Sequence, residues 1–429
     1  MRVIELFKEI TKIPRCSGTH NNFIYFLKEF ALEHNYICEV DKANNILCYK
    51  ENGKRTICLQ SHYDIVCLED GKIPEVIEVD GYLQAKDSTL GADNGIGCSY
   101  MLALMEEKYD CEYLFTCDEE IGLIGANNID LELKAPKMLN LDSEMEGEIC
   151  IGCAGGIDIF ATTSKGEYLK NKEKKEMYEL ELDNLDGGHS GVDIDKNIPN
   201  AIKLMVKTIK QANADLLDLQ GGERINSIPK SARAIIVTDC EPIASHPNMK
   251  ITKVTQRTQH YKKLDPSIIE LLYIFSNGVR GYDKEIDVVL SSINLAMVEN
   301  TIEGVQISFS ARSMEHEALE DIKDETVTLL EMFGFGIATD GKYPPWKPEL
   351  HQFTAEVLEV YKEYVPSATL NAIHAGLECA IFKEKFPNMD VCSIGPNIYF
   401  PHSLREKCEI SSTMKLYEIV KKVVENNLK

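Results

Sequence analysis

The chain has 429 residues, of which 44% are hydrophobic and 27% charged, and a net charge of −23. These fractions are those of a globular protein, and the length predicts two domains rather than one core. The acidic balance argues against nucleic acid or an anionic membrane as a partner.

Val3, Ile4, Phe7 and Ile10 form a helical stripe that stops before Pro14. Glu5, Lys8, Glu9 and Lys12 lie among them, so this is an amphipathic helix and not a signal sequence. A second helix is expected at roughly 22–34. "NILCYKENGKRTICLQS" predicts a hairpin around Asn52-Gly53. "IGCSYMLALMEEKY" predicts a helix of about four turns. "EYLFTC", "KMLNL" and "DVCSIG" are short apolar runs that suit buried strands of a central sheet. Alternating strands and helices predict an α/β layer architecture.

The pattern changes after Cys153 to Gly156. "IDIFATTSKGEY" and "KEMYELELDNL" predict a two-stranded ribbon with a Lys-rich turn between them. "GKYPPWKPEL" is a Pro-rich joint holding the single tryptophan, Trp346. A helix from Leu350, the strand "DVCSIG" and a terminal helix opened by Ser411 and Ser412 follow. This end matches the start of the chain in style. The expected organisation is one domain from residues 1–155 plus 344–429, with a second, 156–343, inserted. The 14 cysteines show no small-domain disulfide framework and are expected as free, mostly buried thiols of a reducing cytosol. No uncharged run reaches membrane length, so the expected address is cytoplasmic.

The residues able to carry chemistry stand where strands end or helices begin. His62 and Asp64 lie in "LQSHYDIV", where an acid two residues on can orient an imidazole. Asp93 lies in the Gly-rich turn "STLGADNGIG", which lacks phosphate-loop spacing and alone reads as a helix N-cap. Glu119 and Glu120 follow the run "EYLFTC", Asp142 follows "KMLNL", and His402 follows "DVCSIG". Singly, each has an ordinary explanation as a turn or surface residue. Together, two histidines and three carboxylates at the carboxyl ends of strands make a mixed N/O set suited to Zn²⁺, with Co²⁺ or Mn²⁺ as competitors. Five such ligands fit two metals if one carboxylate bridges them.

"LQSHYDIV", "TLGADNGIG", "TCDEEIGLIGA", "NLDSEMEGEICIGCAGG" and "SIGPNIYFPHS" occur in the order of a known family, which the chain resembles over nearly its whole length. This is the co-catalytic di-zinc exopeptidase family of glutamate carboxypeptidase, aminoacylase and succinyl-diaminopimelate desuccinylase. With "GGHSG" and "NAIHAGLEC", the details look most like its Xaa-His dipeptidase branch. The resemblance implies an α/β, mixed-sheet catalytic domain with helices on both faces and an inserted α+β lid. Asp93 would bridge two Zn²⁺ ions, His62 and Asp142 would complete one site, and Glu120 and His402 the other. Asp64 would clamp His62. Glu119 would take a proton from the metal-bound water and deliver it to the leaving amine. His189, Asn226 and Arg312 of the lid, and His374 and Gly376 of "NAIHAGLEC", would meet the substrate. The implied function is a cytoplasmic dipeptidase for unblocked dipeptides, Xaa-His included. A tripeptidase or N-acyl amino acid deacylase is the alternative, and a metal-binding protein without turnover the remaining one. A homodimer is compatible with the family, and the sequence leaves open whether His189 serves its own site or a partner's. "NIYF" before Pro401 is bulkier than the small, polar stretch of the branch and lies where specificity would be set.

Overall fold

The computed structural model describes residues 2–67, 72–164, 166–170, 175–255, 260–284, 287–301 and 304–429. The chain divides into two compact units. One comprises Met1–Cys153, Trp346–Ala372 and Leu377–Lys429, and the other Ala154–Pro345 with Ile373–Gly376. These bounds differ from the expected ones by two residues at each junction. They also assign the stretch with His374 and Gly376 to the second unit, where Ala154 N–H donates to the Ile373 carbonyl at 3.1 Å.

The first unit is a mixed α/β layer. Its eight-stranded sheet runs, in spatial order, Ile37–Val40, Ile46–Tyr49, Glu112–Thr116, Cys58–His62, Lys137–Asn140, Asp390–Ser393, Glu148–Cys153 and Thr369–Ile373. Cys58–His62 pairs in parallel with the strands on both sides, and Asp390–Ser393 in parallel with Lys137–Asn140. Every residue of Cys58–His62 and Glu112–Thr116 is buried, as central strands of a covered sheet require. Helix Arg2–Ile10 turns Val3, Ile4, Leu6, Phe7 and Ile10 into the core. Helices Asn21–Glu33, Ala92–Glu106, Gln352–Tyr364 and Ile410–Leu428 lie where helices were expected.

In the first unit, three expectations fail. The hairpin at Asn52-Gly53 does not form, because Glu112–Thr116 lies between Ile46–Tyr49 and Cys58–His62. A buried apolar strand can pair with any similar strand, so the turn signal alone did not fix its neighbour. Cys16 and Cys67 are joined in a disulfide, while most of the other cysteines are free and buried. The terminal helix is not capped by Ser411 or Ser412; its N-cap is Glu409, and the Ser412 hydroxyl accepts the Asn397 N–H.

The second unit is built on a nine-stranded sheet, antiparallel throughout its described pairings, whose buried face packs against helices Ala201–Gln211, Ser267–Ile274 and His316–Met332. The expected ribbon is absent from it. Gly155–Ser164 pairs with Gly304–Ser313 and Gly336–Tyr343, whereas Glu176–Leu182 pairs with Ala232–Thr238 and Met249–Val254. Residues 171–174 of the Lys-rich turn lie outside the described residues. No helix among the described residues is long and apolar enough to cross a membrane.

Candidate active site

Sheet order brings the ends of several strands to one place in the first unit. His62 is the last residue of its strand, and Asp142 follows Lys137–Asn140. Glu119 and Glu120 follow Glu112–Thr116 after a turn in which Asp118 takes φ of 52°. His402 lies in the turn between Ile398–Tyr399 and Lys407–Glu409, two strands of a separate four-stranded sheet. Asp93 is not an N-cap. Gly91 holds that place, and Asp93 sits in a non-helical first turn of Ala92–Glu106.

The five residues converge around Asp93. His62 Nε2 lies 3.1 Å from Asp93 Oδ1 and 3.2 Å from Asp142 Oδ1. His402 Nε2 lies 3.1 Å from Asp93 Oδ2 and 2.9 Å from Glu120 Oε2. Each Asp93 oxygen thus faces its own histidine–carboxylate pair. His62 is 1% exposed and His402 45%, so one pair is sealed and the other opens to solvent.

Crowding three carboxylates here has an electrostatic cost. Burial, with the charge of Asp93, pushes Glu120 up to about 7. Burial opposes protonation of both histidines, yet the surrounding carboxylates outweigh it. They raise His62 well above its ordinary value and His402 to about 11. Asp93, although buried, is lowered by its contacts to His402 and His62. Glu120 Oε1 is buried without a hydrogen-bond partner among the described residues. An orphaned oxygen among converging N and O donors, in a field that calls for positive charge, fits divalent cations of the zinc type. His62, Asp93 and Glu120 offer ligand atoms all within 4.8 Å of one another.

Asp64 does more than the sequence suggested. Its carboxylate is 3.5 Å from His62 Nδ1, while its own backbone carbonyl comes closer, at 3.1 Å. Its two oxygens accept the backbone N–H of Glu119 at 3.1 Å and of Glu120 at 3.4 Å, and Ser17 Oγ donates to it at 2.8 Å. One buried carboxylate therefore holds both glutamates at the backbone. The Glu119 carboxyl is raised well above its ordinary value by burial and by the charges of Glu120 and Asp142, against the pull of His62. Sequence reasoning also missed Asn94, whose amide donates to Asp142 Oδ1 at 2.5 Å.

His189, Asn226, Arg312, His374 and Gly376 all lie in the second unit. Gly188-His189 pairs with Ser227-Ile228, and Ser190 N–H donates to the Asn226 carbonyl at 2.9 Å. His374 Nε2 is 2.8 Å from Ser292 Oγ. Burial, with the positive charge of Arg312, lowers His374 to about 3, so its ring is neutral. Arg312 Nη1 donates to the Tyr343 hydroxyl at 2.5 Å, and the Tyr343 ring packs against Gly376. Arg312 Nε and His374 Nδ1 are buried without hydrogen-bond partners among the described residues. Ser292 and Tyr343 carried no signal in the sequence.

The chain matches the model of "Peptidase family M20/M25/M40" over residues 58–426. It is 31% identical to the cytosol non-specific dipeptidase of Escherichia coli (strain K12), over 95% of this chain and 94% of that protein. It superposes on the aminoacylhistidine dipeptidase of Vibrio alginolyticus with a TM-score of 0.80 and 27% identity, covering 99% of this chain and 96% of that one. A tripeptidase from Staphylococcus aureus shares the fold, with a TM-score of 0.59 and 17% identity over 100% of this chain and 98% of that one.

Proposed function

The chain belongs to peptidase family M20/M25/M40, and from that premise we propose that it is a metal-dependent dipeptidase acting on unblocked dipeptides, Xaa-His among them. The observation that carries the proposal is the placement of the Asp93 oxygens, one toward His62 and Asp142 and the other toward His402 and Glu120. Likeness to two dipeptidases over nearly the whole chain supports it.

A pair of Zn²⁺ ions, with Co²⁺ or Mn²⁺ as substitutes, held by those five residues, would polarise the scissile carbonyl and acidify the attacking water. Glu119 takes the proton from that water and returns it to the amine that leaves. Its raised proton affinity suits the second half of this task, in which it acts as an acid. Asp64 fixes the backbone from which Glu119 and Glu120 project, so the two acids keep separate roles. In the second unit, Arg312 offers a buried, unfilled donor edge for the substrate carboxylate. His374, neutral and with Nδ1 unfilled, adds a directional polar contact, and we assign His189, Asn226 and Gly376 to the same substrate surface. We place the protein in the cytoplasm, and a homodimer is compatible with the family. The Cys16–Cys67 disulfide is at odds with a reducing compartment.

The test is hydrolysis by metal-loaded protein of a panel of Xaa-His and other dipeptides, tripeptides and N-acetyl amino acids. Dipeptides are turned over best, and a chelator abolishes activity. Glu119→Gln retains both metals by elemental analysis yet loses about 10²- to 10⁴-fold in kcat. Glu120→Gln loses one metal. A fully active Glu119→Gln enzyme would sink the assignment of the base, and preference for N-acetyl amino acids would sink the dipeptidase.

A further inference from the structure

Arg15 is 1% exposed, among the largest side chains fully buried in the protein. Its Nη1 donates to the carbonyl of Tyr63 and its Nη2 to the carbonyl of Gly91, both at 2.8 Å. Tyr63 stands between His62 and Asp64, and Gly91 opens the turn of Asp93. Glu406, 3% exposed and in the loop of His402, holds the same turn from its amide side. Its Oε2 accepts Leu90 N–H at 2.8 Å and Gly91 N–H at 3.2 Å, and its Oε1 accepts Ala92 N–H at 2.8 Å. Three consecutive amides on a carboxylate form an anion nest, here filled by the protein's own side chain.

The turn is shaped to receive this pair. Gly91 has φ of 67°, and a Cβ there would lie 3.1 Å from Arg15 Nη2. A Cβ on Gly95 would overlap Arg15 Nη2 and come within 2.9 Å of Phe7. Burying a full positive charge is costly, and a turn needing only satisfied carbonyls could use water or backbone donors. An arginine adds a rigid planar fork that fixes the distance between two carbonyls, which a lysine ammonium cannot do.

We propose that Arg15 and Glu406 are positioning residues that lock the Asp93 turn against the His62 strand end and the His402 loop, and so set the spacing of the two cation positions. The inference rests on His62, Asp93 and His402 acting as metal ligands. Neither residue touches substrate; both act through the backbone of the ligand-bearing segments.

The test uses full-length protein stripped of metal and titrated with Co²⁺, followed by its visible spectrum, for wild type, Arg15→Ala, Arg15→Lys and Glu406→Gln. Thermal melting of each apo-protein and kcat and KM after Zn²⁺ loading complete it. The expected result is a 10- to 100-fold loss of metal affinity, the size seen when partners of metal ligands are removed. Altered Co²⁺ bands and a kcat about 10²-fold lower accompany it, with KM little changed. The apo-protein of Glu406→Gln melts near wild type while that of Arg15→Ala melts lower, since two buried carbonyls lose their donor, and Arg15→Lys recovers only part of what Arg15→Ala loses. Folded variants with wild-type Co²⁺ affinity and spectrum overturn the proposal. If the Arg15 variants do not fold, Glu406→Gln decides. If none folds, the pair maintains the fold and the proposal falls. Wild-type protein that takes up no Co²⁺ or Zn²⁺ overturns the metal-site assignment itself, and this inference with it.

Discussion

At the scale of single residues, the sequence revealed chemistry and concealed support. That His62, Asp93, Glu120, Asp142 and His402 lie together could be read from the sequence because acids and histidines rarely recur at successive strand ends by chance. Arg15 and Glu406 were not, because a charged residue in a loop is ordinarily a solvated one, and only packing shows the burial. Glu378 is a similar case. Its Oε2 accepts Gln60 Nε2–H at 2.6 Å and the Thr116 hydroxyl at 2.7 Å, and it is fully buried. Burial pushes it up to about 8 from an ordinary 4.5, so it is neutral at pH 7. A carboxyl raised on folding stabilises fully below its unfolded value, and that contribution is lost as pH rises through 8. Glu378→Gln, which stays neutral, should therefore gain on wild type between pH 4.5 and 9, by on the order of a few kcal/mol. Denaturation midpoints across that range check it; parallel curves would show that Glu378 does not titrate there.

At the scale of elements, helices and strands were readable and their neighbours were not. Alternation names the face of a half-buried strand, but Cys58–His62 and Glu112–Thr116 are buried on both faces and carry no such code. That is why a turn signal at Asn52-Gly53 suggested a hairpin the sheet does not contain. Caps are more local and better determined. The Asn200 side chain accepts the N–H of Ile202 at 3.0 Å and of Lys203 at 3.2 Å, and its amide donates to the Leu295 carbonyl at 2.8 Å. Asn200→Ala removes a helix cap and strands a buried carbonyl. The second unit should lose about 2 to 4 kcal/mol, more than a cap alone, as read from its urea midpoint.

At the scale of the whole molecule, the insertion was inferred because the chain returns to the style it began with. The second unit has its own apolar cluster, from Ile157 to Ile337, with its own sheet and helices. Residues 154–345 alone should therefore melt cooperatively by circular dichroism. Residues 1–153 alone should not, since they lack Asp390–Ser393 and the helices Gln352–Tyr364 and Ile410–Leu428. Asp390–Ser393 lies inside the sheet, between Lys137–Asn140 and Glu148–Cys153. A ribosome makes those two flanking strands early and the strand that joins them almost last. Throughout the intervening synthesis, Lys137–Asn140 has one unpaired edge and Glu148–Cys153, whose other neighbour Thr369–Ile373 is also made late, has two, the condition in which strands seek foreign partners. The unit to which we assign the catalytic residues is thus the last to be completed, and its yield in a cell depends on how well those edges are guarded until residue 393 emerges.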